Sequence, residues 1–132
     1  MTKRLSKKSK WYLPYETRAT VIHYARQYRE WKNEYNTIGG TGSYNMDGMP
    51  HGQNDTDTTQ RDGMRRAELS SKIQLIEDTV REVDEDIYKW LLIGVTQKVS
   101  YDYLRNSLDI PCGERQYHEK KREFHYRLSK KI

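Results

Sequence analysis

The chain has 132 residues, of which 34% are hydrophobic and 33% charged, and it carries a net charge of +5. That stock can seam helices together but is lean for a thick core, and tyrosine dominates it with 11 copies beside 3 tryptophans, rings that bury a face while keeping a polar edge wet. One cysteine, Cys112, excludes an intramolecular disulfide framework, no apolar run approaches the ~20 residues of a bilayer span, and the basic start lacks a secretion signal's hydrophobic segment, so a soluble cytoplasmic protein with no membrane partner is expected.

Residues 1–13 read as a basic N-terminal arm: Lys3, Arg4, Lys7, Lys8 and Lys10 stand without an acid, with Trp11 and Tyr12 at its base. Pro14 marks a helix entry, since proline is tolerated in a first turn. From Tyr15 to about Asn36 the apolar residues fall at Val21, Tyr24, Ala25, Tyr28, Trp31 and Tyr35, steps of three and four that predict one amphipathic helix. Arg18, Arg26, Arg29, Glu30 and Lys32 lie mostly off that stripe.

Residues 37–60 break the pattern. Gly39, Gly40, Gly42, Gly48 and Gly52 are five of the chain's eight glycines, and ordering them costs backbone entropy that little here repays, so a flexible connecting loop is expected. A second long helix is predicted from about Thr58 to Val83. Leu69, Ile73, Ile76, Val80, Val83 and Ile87 alternate in steps of four and three, a heptad seam suited to coiled-coil-like pairing with the first helix or with a second copy. Residues 14–85 are thus expected to form a long antiparallel helical hairpin joined by the Gly-rich loop.

The acidic stretch of Glu77, Asp78, Glu82, Asp84, Glu85 and Asp86, opposed only by Arg81, ends in a break near Asp84–Asp86. Ile87–Val95 follows as the most hydrophobic segment, a short supporting helix in which Gly94 permits close packing or termination. Ser100 suits an N-cap for a helix over Tyr101–Leu108, which buries Leu104 and Leu108. Pro111 forbids continuation through Asp109-Ile110-Pro111-Cys112-Gly113, and a last helix is predicted from Gly113 or Glu114 to about Lys130. Its Tyr117, Phe124 and Leu128 share one side, with Lys121 near them, its stem packed and its ammonium reaching water; Arg115, Glu119, Arg122 and Tyr126 lie opposite, flanked by Gln116 and His118. Residues 86–132 therefore read as a tri-helical helix-turn-helix in an all-α chain.

Residues 113–132 hold seven bases against three acids, a local excess of +4. With the arm, these basic ends flank an acidic middle, the distribution of a polyanion binder, although ordinary solvated helix faces would show it too. For double-stranded DNA, Arg115 and Arg122 would present forks to guanine, Gln116 would address adenine, Glu119 would accept from cytosine, and His118 would donate or accept. Phosphate contacts are expected from Ser100, Lys120, Lys121, Tyr126, Lys130 and Lys131, and from Lys3, Arg4, Lys7, Lys8 and Lys10 of the arm.

The runs Ser100-Tyr101-Asp102-Tyr103-Leu104, Ile110 through Tyr117 and Arg122-Glu123-Phe124, with Asp47-Gly48-Met49-Pro50-His51-Gly52 between two helices, resemble bacteriophage and prophage late-gene transcriptional activators of the RinA and ArpU type. The resemblance covers most of the chain. It implies a sigma-factor-like C-terminal helix-turn-helix, with sequence-specific DNA binding and transcriptional control in a bacterial host cell; on that reading the long helices are expected to pair into a dimer or to contact RNA polymerase. Asp109 stands where sigma-like units have glycine, and the turn is about one residue longer here; Asp tolerates turn geometry, so the fold is expected to survive. Two alternatives stay open: a phage DNA-packaging adaptor like a terminase small subunit, and a helical interaction protein without specific DNA binding.

No catalytic or cofactor pattern is present in the sequence. His23, His51, His118 and His125 are scattered without metal-ligand spacing and are expected at the surface or facing DNA. The acidic stretch lacks a calcium loop's glycine and rhythm, and Gly39-Gly40-Thr41-Gly42-Ser43 lacks the lysine of a phosphate loop. Cys112 is expected to be a turn residue, without a catalytic partner.

Overall fold

A computed structural model describes residues 9–38 and 54–132, and every regular element among them is an α-helix. In chain order these are α1 (Tyr15–Arg26), α2 (Tyr28–Thr37), α3 (Asn54–Val83), α4 (Tyr88–Thr96), α5 (Tyr101–Leu108) and α6 (Glu114–Ser129). None of them is long and apolar enough to cross a membrane.

The first helix of the sequence reading is two. Pro14 caps α1 as expected, but Gln27 interrupts the run, and its amide donates to the Tyr24 carbonyl at 3.2 Å in a tightened last turn. The division falls where the chain splits into two compact units, one of residues 1–27 and 76–132, the other of 28–75. Of the predicted stripe, Val21, Ala25, Tyr28 and Trp31 are buried, and Tyr24 and Tyr35 are half-buried. α3 begins at Asn54, inside the stretch read as loop; no glycine or proline follows Gly52 until Gly63, so nothing stops the helix from starting early. The glycine cluster and the Gly-Met-Pro element lie outside the described residues.

In the unit of residues 28–75, Tyr28 and Trp31 of α2 and Leu69 and Ile73 of α3 are buried. Cations decorate this seam. Lys72 Nζ stands 5.3 Å from the Trp31 ring centre and the Arg66 guanidinium 4.2 Å from that of Tyr35. Arg65 forks onto Glu34 at 2.6 and 2.9 Å and also reaches Glu68. That fork holds the Glu34 carboxyl below the ordinary carboxylate range.

In the other unit α1 packs on α6 and α4, and α4 packs on α5 and α6. Ile76, Val80, Val83 and Ile87 of the predicted seam are at most 8% exposed here, although Ile87 sits beyond the end of α3 as the residue before α4. Asp84 turns the chain between the helices: its carboxylate accepts the Asp86 amide at 2.9 Å. Gly94 permits a close approach. A Cβ on it would stand 1.8 Å from the Tyr117 hydroxyl, so α6 comes against the bare backbone of α4.

Candidate nucleic-acid interface

α5, the turn after it and α6 are fixed by local chemistry that the sequence announces. The Ser100 hydroxyl accepts the Tyr103 amide at 3.1 Å, an N-cap satisfying one of the donors a helix start leaves open. At the other end Asp109 adopts the left-handed conformation (φ 55°, ψ 48°), the only non-glycine with positive φ among the described residues. The chain folds back there: the Asp109 amide donates to Arg105 O at 3.2 Å and the Ile110 amide to Leu104 O at 3.1 Å. Asp is among the few L-residues that accept this conformation at modest cost, so Asp109 can close the helix without a glycine.

Three anchors hold the turn. Ile110 is buried, Tyr101 Oη donates to the Cys112 carbonyl at 2.6 Å, and Trp90 Nε1 donates to the Leu108 carbonyl at 2.6 Å. Cys112 is indeed a turn residue, and burial pushes its thiol above the usual range. Sequence reasoning missed Trp90 and Tyr101 as anchors. Both were readable as aromatic rings with a donor, but their acceptors are backbone carbonyls that only the fold brings near.

α6 presents four distinct strips. Tyr117, Phe124 and Leu128 form the buried one, each at most 1% exposed. Burial leaves the Tyr117 hydroxyl without a hydrogen-bond partner and pushes its pKa up to about 12. A second strip faces the end of α3 and the acids there: Lys120 pairs with Asp84 at 3.6 Å, Lys131 with Glu82 at 2.7 Å and with the Thr79 hydroxyl at 3.0 Å, and Arg127, paired within α6 with Glu123 at 2.7 Å, also stands 4.0 Å from Glu82. Lys120 and Lys131 are therefore engaged inside the molecule rather than held free for phosphate.

A third strip faces α1 and overturns two expectations. His125, expected at the surface, is 7% exposed, and burial beside Lys121, Arg18 and Arg26 drops its pKa to about 3. Lys121 is half-buried there, and loss of solvent, with Arg26 nearby, lowers its pKa also. Arg18 and Arg26, expected away from the packed stripe, are half-buried too.

The fourth strip is open. Arg115, Gln116 and Glu119 are exposed, and His118 and Arg122 are half-exposed. His118 rests its ring 5.3 Å from that of Tyr117 and lies 3.6 Å from the Glu114 carboxylate. Toward the C-terminal end Tyr126 is partly covered: the Trp11 ring meets it edge-on at 5.5 Å, and Lys130 Nζ stands 4.9 Å from its centre. Lys10 lies 4.8 Å from the Trp11 ring. Trp11 thus pins the root of the basic segment against α6, a role its sequence position did not disclose. Lys3, Arg4, Lys7 and Lys8 lie outside the described residues.

Ser100 is exposed, with one lone pair committed to its cap. Of the histidines, His23 is exposed and His51 lies outside the described residues. Among the described residues no group of three His, Cys, Asp or Glu side chains could hold a metal ion. No family model, no curated protein and no solved structure matches the chain.

Proposed function

We propose that residues 100–130 form a helix-turn-helix that binds double-stranded DNA sequence-specifically, and that the protein is a phage-type transcriptional regulator, an activator rather than an enzyme. One observation carries this reading: α6 commits its other cations to acids or to packing yet leaves Arg115, Gln116, Glu119 and Arg122 on an open edge beside a braced turn. That edge offers both donors and acceptors, which base reading needs and mere solubility does not. α4 supports the pair from behind, as the first helix of a tri-helical unit does. Lys10 and Lys130, gathered at Trp11 and Tyr126, flank the edge with charge for the phosphate backbone.

In this reading α2 and α3 form the antiparallel hairpin, which serves self-association into a dimer or contact with RNA polymerase. The experiment is selection of bound duplexes from a random pool at two salt concentrations. An enriched motif that survives the higher salt is the expected result, and Arg115→Ala or Arg122→Ala weakens binding to it by about 5- to 150-fold, the worth of one bidentate base contact. Uniform, salt-sensitive retention with no motif would reduce the edge to non-specific charge. Light scattering separates the roles: a dimer fits a regulator, whereas a closed ring of many subunits would move the assignment to a packaging adaptor.

A further inference from the structure

Long charged side chains join α6 to the end of α3, whereas the helices packed closely on α6 are α1 and α4. Glu82 is the centre of that junction. One of its carboxylate oxygens lies 2.7 Å from Lys131 Nζ and the other 4.0 Å from an Arg127 terminal nitrogen. Both cations are also placed by other partners: Arg127 Nε donates to Glu123 at 2.7 Å, and Lys131 Nζ donates to the Thr79 hydroxyl at 3.0 Å. The Glu82 side chain is 45% exposed, and those of Arg127 and Lys131 are 40% and 28% exposed. Water therefore screens both pairs, and such pairs add little to stability. Buried Tyr117, Phe124 and Leu128 already fix α6 without them.

The position of the pairs is more telling than their strength. At 100° per residue, Lys120 and Arg127 lie within about 40° of Gln116, so this side of α6 adjoins the open edge. Lys131 follows just past the helix end. A guanidinium and an ammonium converging on two oxygens of one anion is also how a backbone phosphate is gripped. A duplex laid along the open edge would bring its phosphates to the very cations that Glu82 occupies.

We infer that Glu82 is an autoinhibitory carboxylate: in the free chain it holds Arg127 and Lys131 from nucleic acid, and a duplex engages them by displacing it. Glu82 thus sets how tightly the C-terminal unit binds, without touching a base. The inference rests on the function proposed above only in taking the displacing polyanion to be DNA; it does not require that α6 read sequence.

The test is binding of the full chain to a short duplex of arbitrary sequence across a salt series. Glu82→Gln removes the charge and keeps the shape. It is expected to bind about tenfold tighter at about 0.1 M salt and to steepen the slope of log affinity against log salt by about one, the share of one more phosphate contact. Glu85→Gln is the control: it changes net charge equally, but Glu85 is exposed and pairs with no α6 cation among the described residues. Its gain is smaller and its slope that of the parent. Lys131→Gln has little effect on the parent, where Glu82 already holds the ammonium, and cancels most of the gain in the Glu82→Gln background. Thermal melts of each variant stay near the parent's, as expected of an exposed pair. A gain in Glu82→Gln no larger than in Glu85→Gln, an equal loss from Lys131→Gln in both backgrounds, or a Glu82→Gln chain that melts far below the parent overturns the proposal. The open edge is judged separately: an enriched motif without a Glu82 effect leaves only base reading standing, and a Glu82 effect without a motif leaves only the competition.

Discussion

Gly94 of α4 and Tyr117 of α6 approach closely. Any side chain at 94 meets the Tyr117 ring, with the phenol carbon only 2.9 Å from a built Cβ. Gly94→Ala is therefore expected to cost about 1–3 kcal/mol, the usual range for overpacking. The Tyr117 hydroxyl is buried without a partner, so Tyr117→Phe is expected to be neutral or slightly stabilising. In the Phe background the alanine should cost less, because the atom it would hit first is gone. Urea denaturation of the four proteins in this cycle checks it; additive costs would mean that the two residues do not collide. Asp109 makes a second residue-scale case. Its left-handed backbone predicts that Asp109→Gly holds or raises stability, while Asp109→Val loses about 1–2 kcal/mol to Cβ crowding. Equal melting temperatures for Gly and Val at 109 would contradict that backbone geometry.

Among the elements, the α1–α6 seam has the clearest pH signature. His125 has its folded pKa depressed from 6.5 to about 3, so the unfolded chain takes up its proton first as pH falls. Stability from this group is fully present above about pH 6.5 and drains away between there and about pH 3, at no more than ~1.4 kcal/mol per pH unit. His125→Gln is expected to flatten the stability profile between pH 6.5 and 4.5, a window above the ordinary range of Glu34 and the other carboxylates. A profile of unchanged slope in that variant would show that the ring is not buried neutral. The α2–α3 pair behaves differently. Its fork of Arg65 on Glu34 is partly solvated, so burial of Trp31, Leu69 and Ile73 rather than the ion pair carries that element.

For the whole molecule, charge placement separates affinity from specificity. On the proposed DNA-binding reading, the four bases of residues 1–8 would add attraction without base reading, so their deletion should weaken duplex binding at low salt. It should also reduce the magnitude of the slope of log affinity against log salt by about 2–4. The preferred motif should stay the same. Filter binding across a salt series measures this directly; a changed motif would mean that the arm reads sequence itself. Arg115→Ala should do the opposite, relaxing the motif with little more than one unit change in slope.

Helix existence and the α5–α6 boundaries were legible in the amino-acid order, because capping, proline exclusion and three-four periodicity act within a few residues. Ser100, Pro111 and the Tyr117-Phe124-Leu128 strip needed no tertiary partner to be read. The Gln27 break was not legible, since glutamine is a sound helix former and the apolar stripe runs through it; it reflects which compact unit each half joins. Neither was the fate of the cations. Lys120, Lys121, Arg122 and Arg115 look alike along the chain, yet packing pairs one with Asp84, buries another beside His125 and leaves the last two on the open edge. Whether a charge is spent at home or kept for a partner depends on which distant carboxylate comes within a few ångströms, and that distance belongs to the fold.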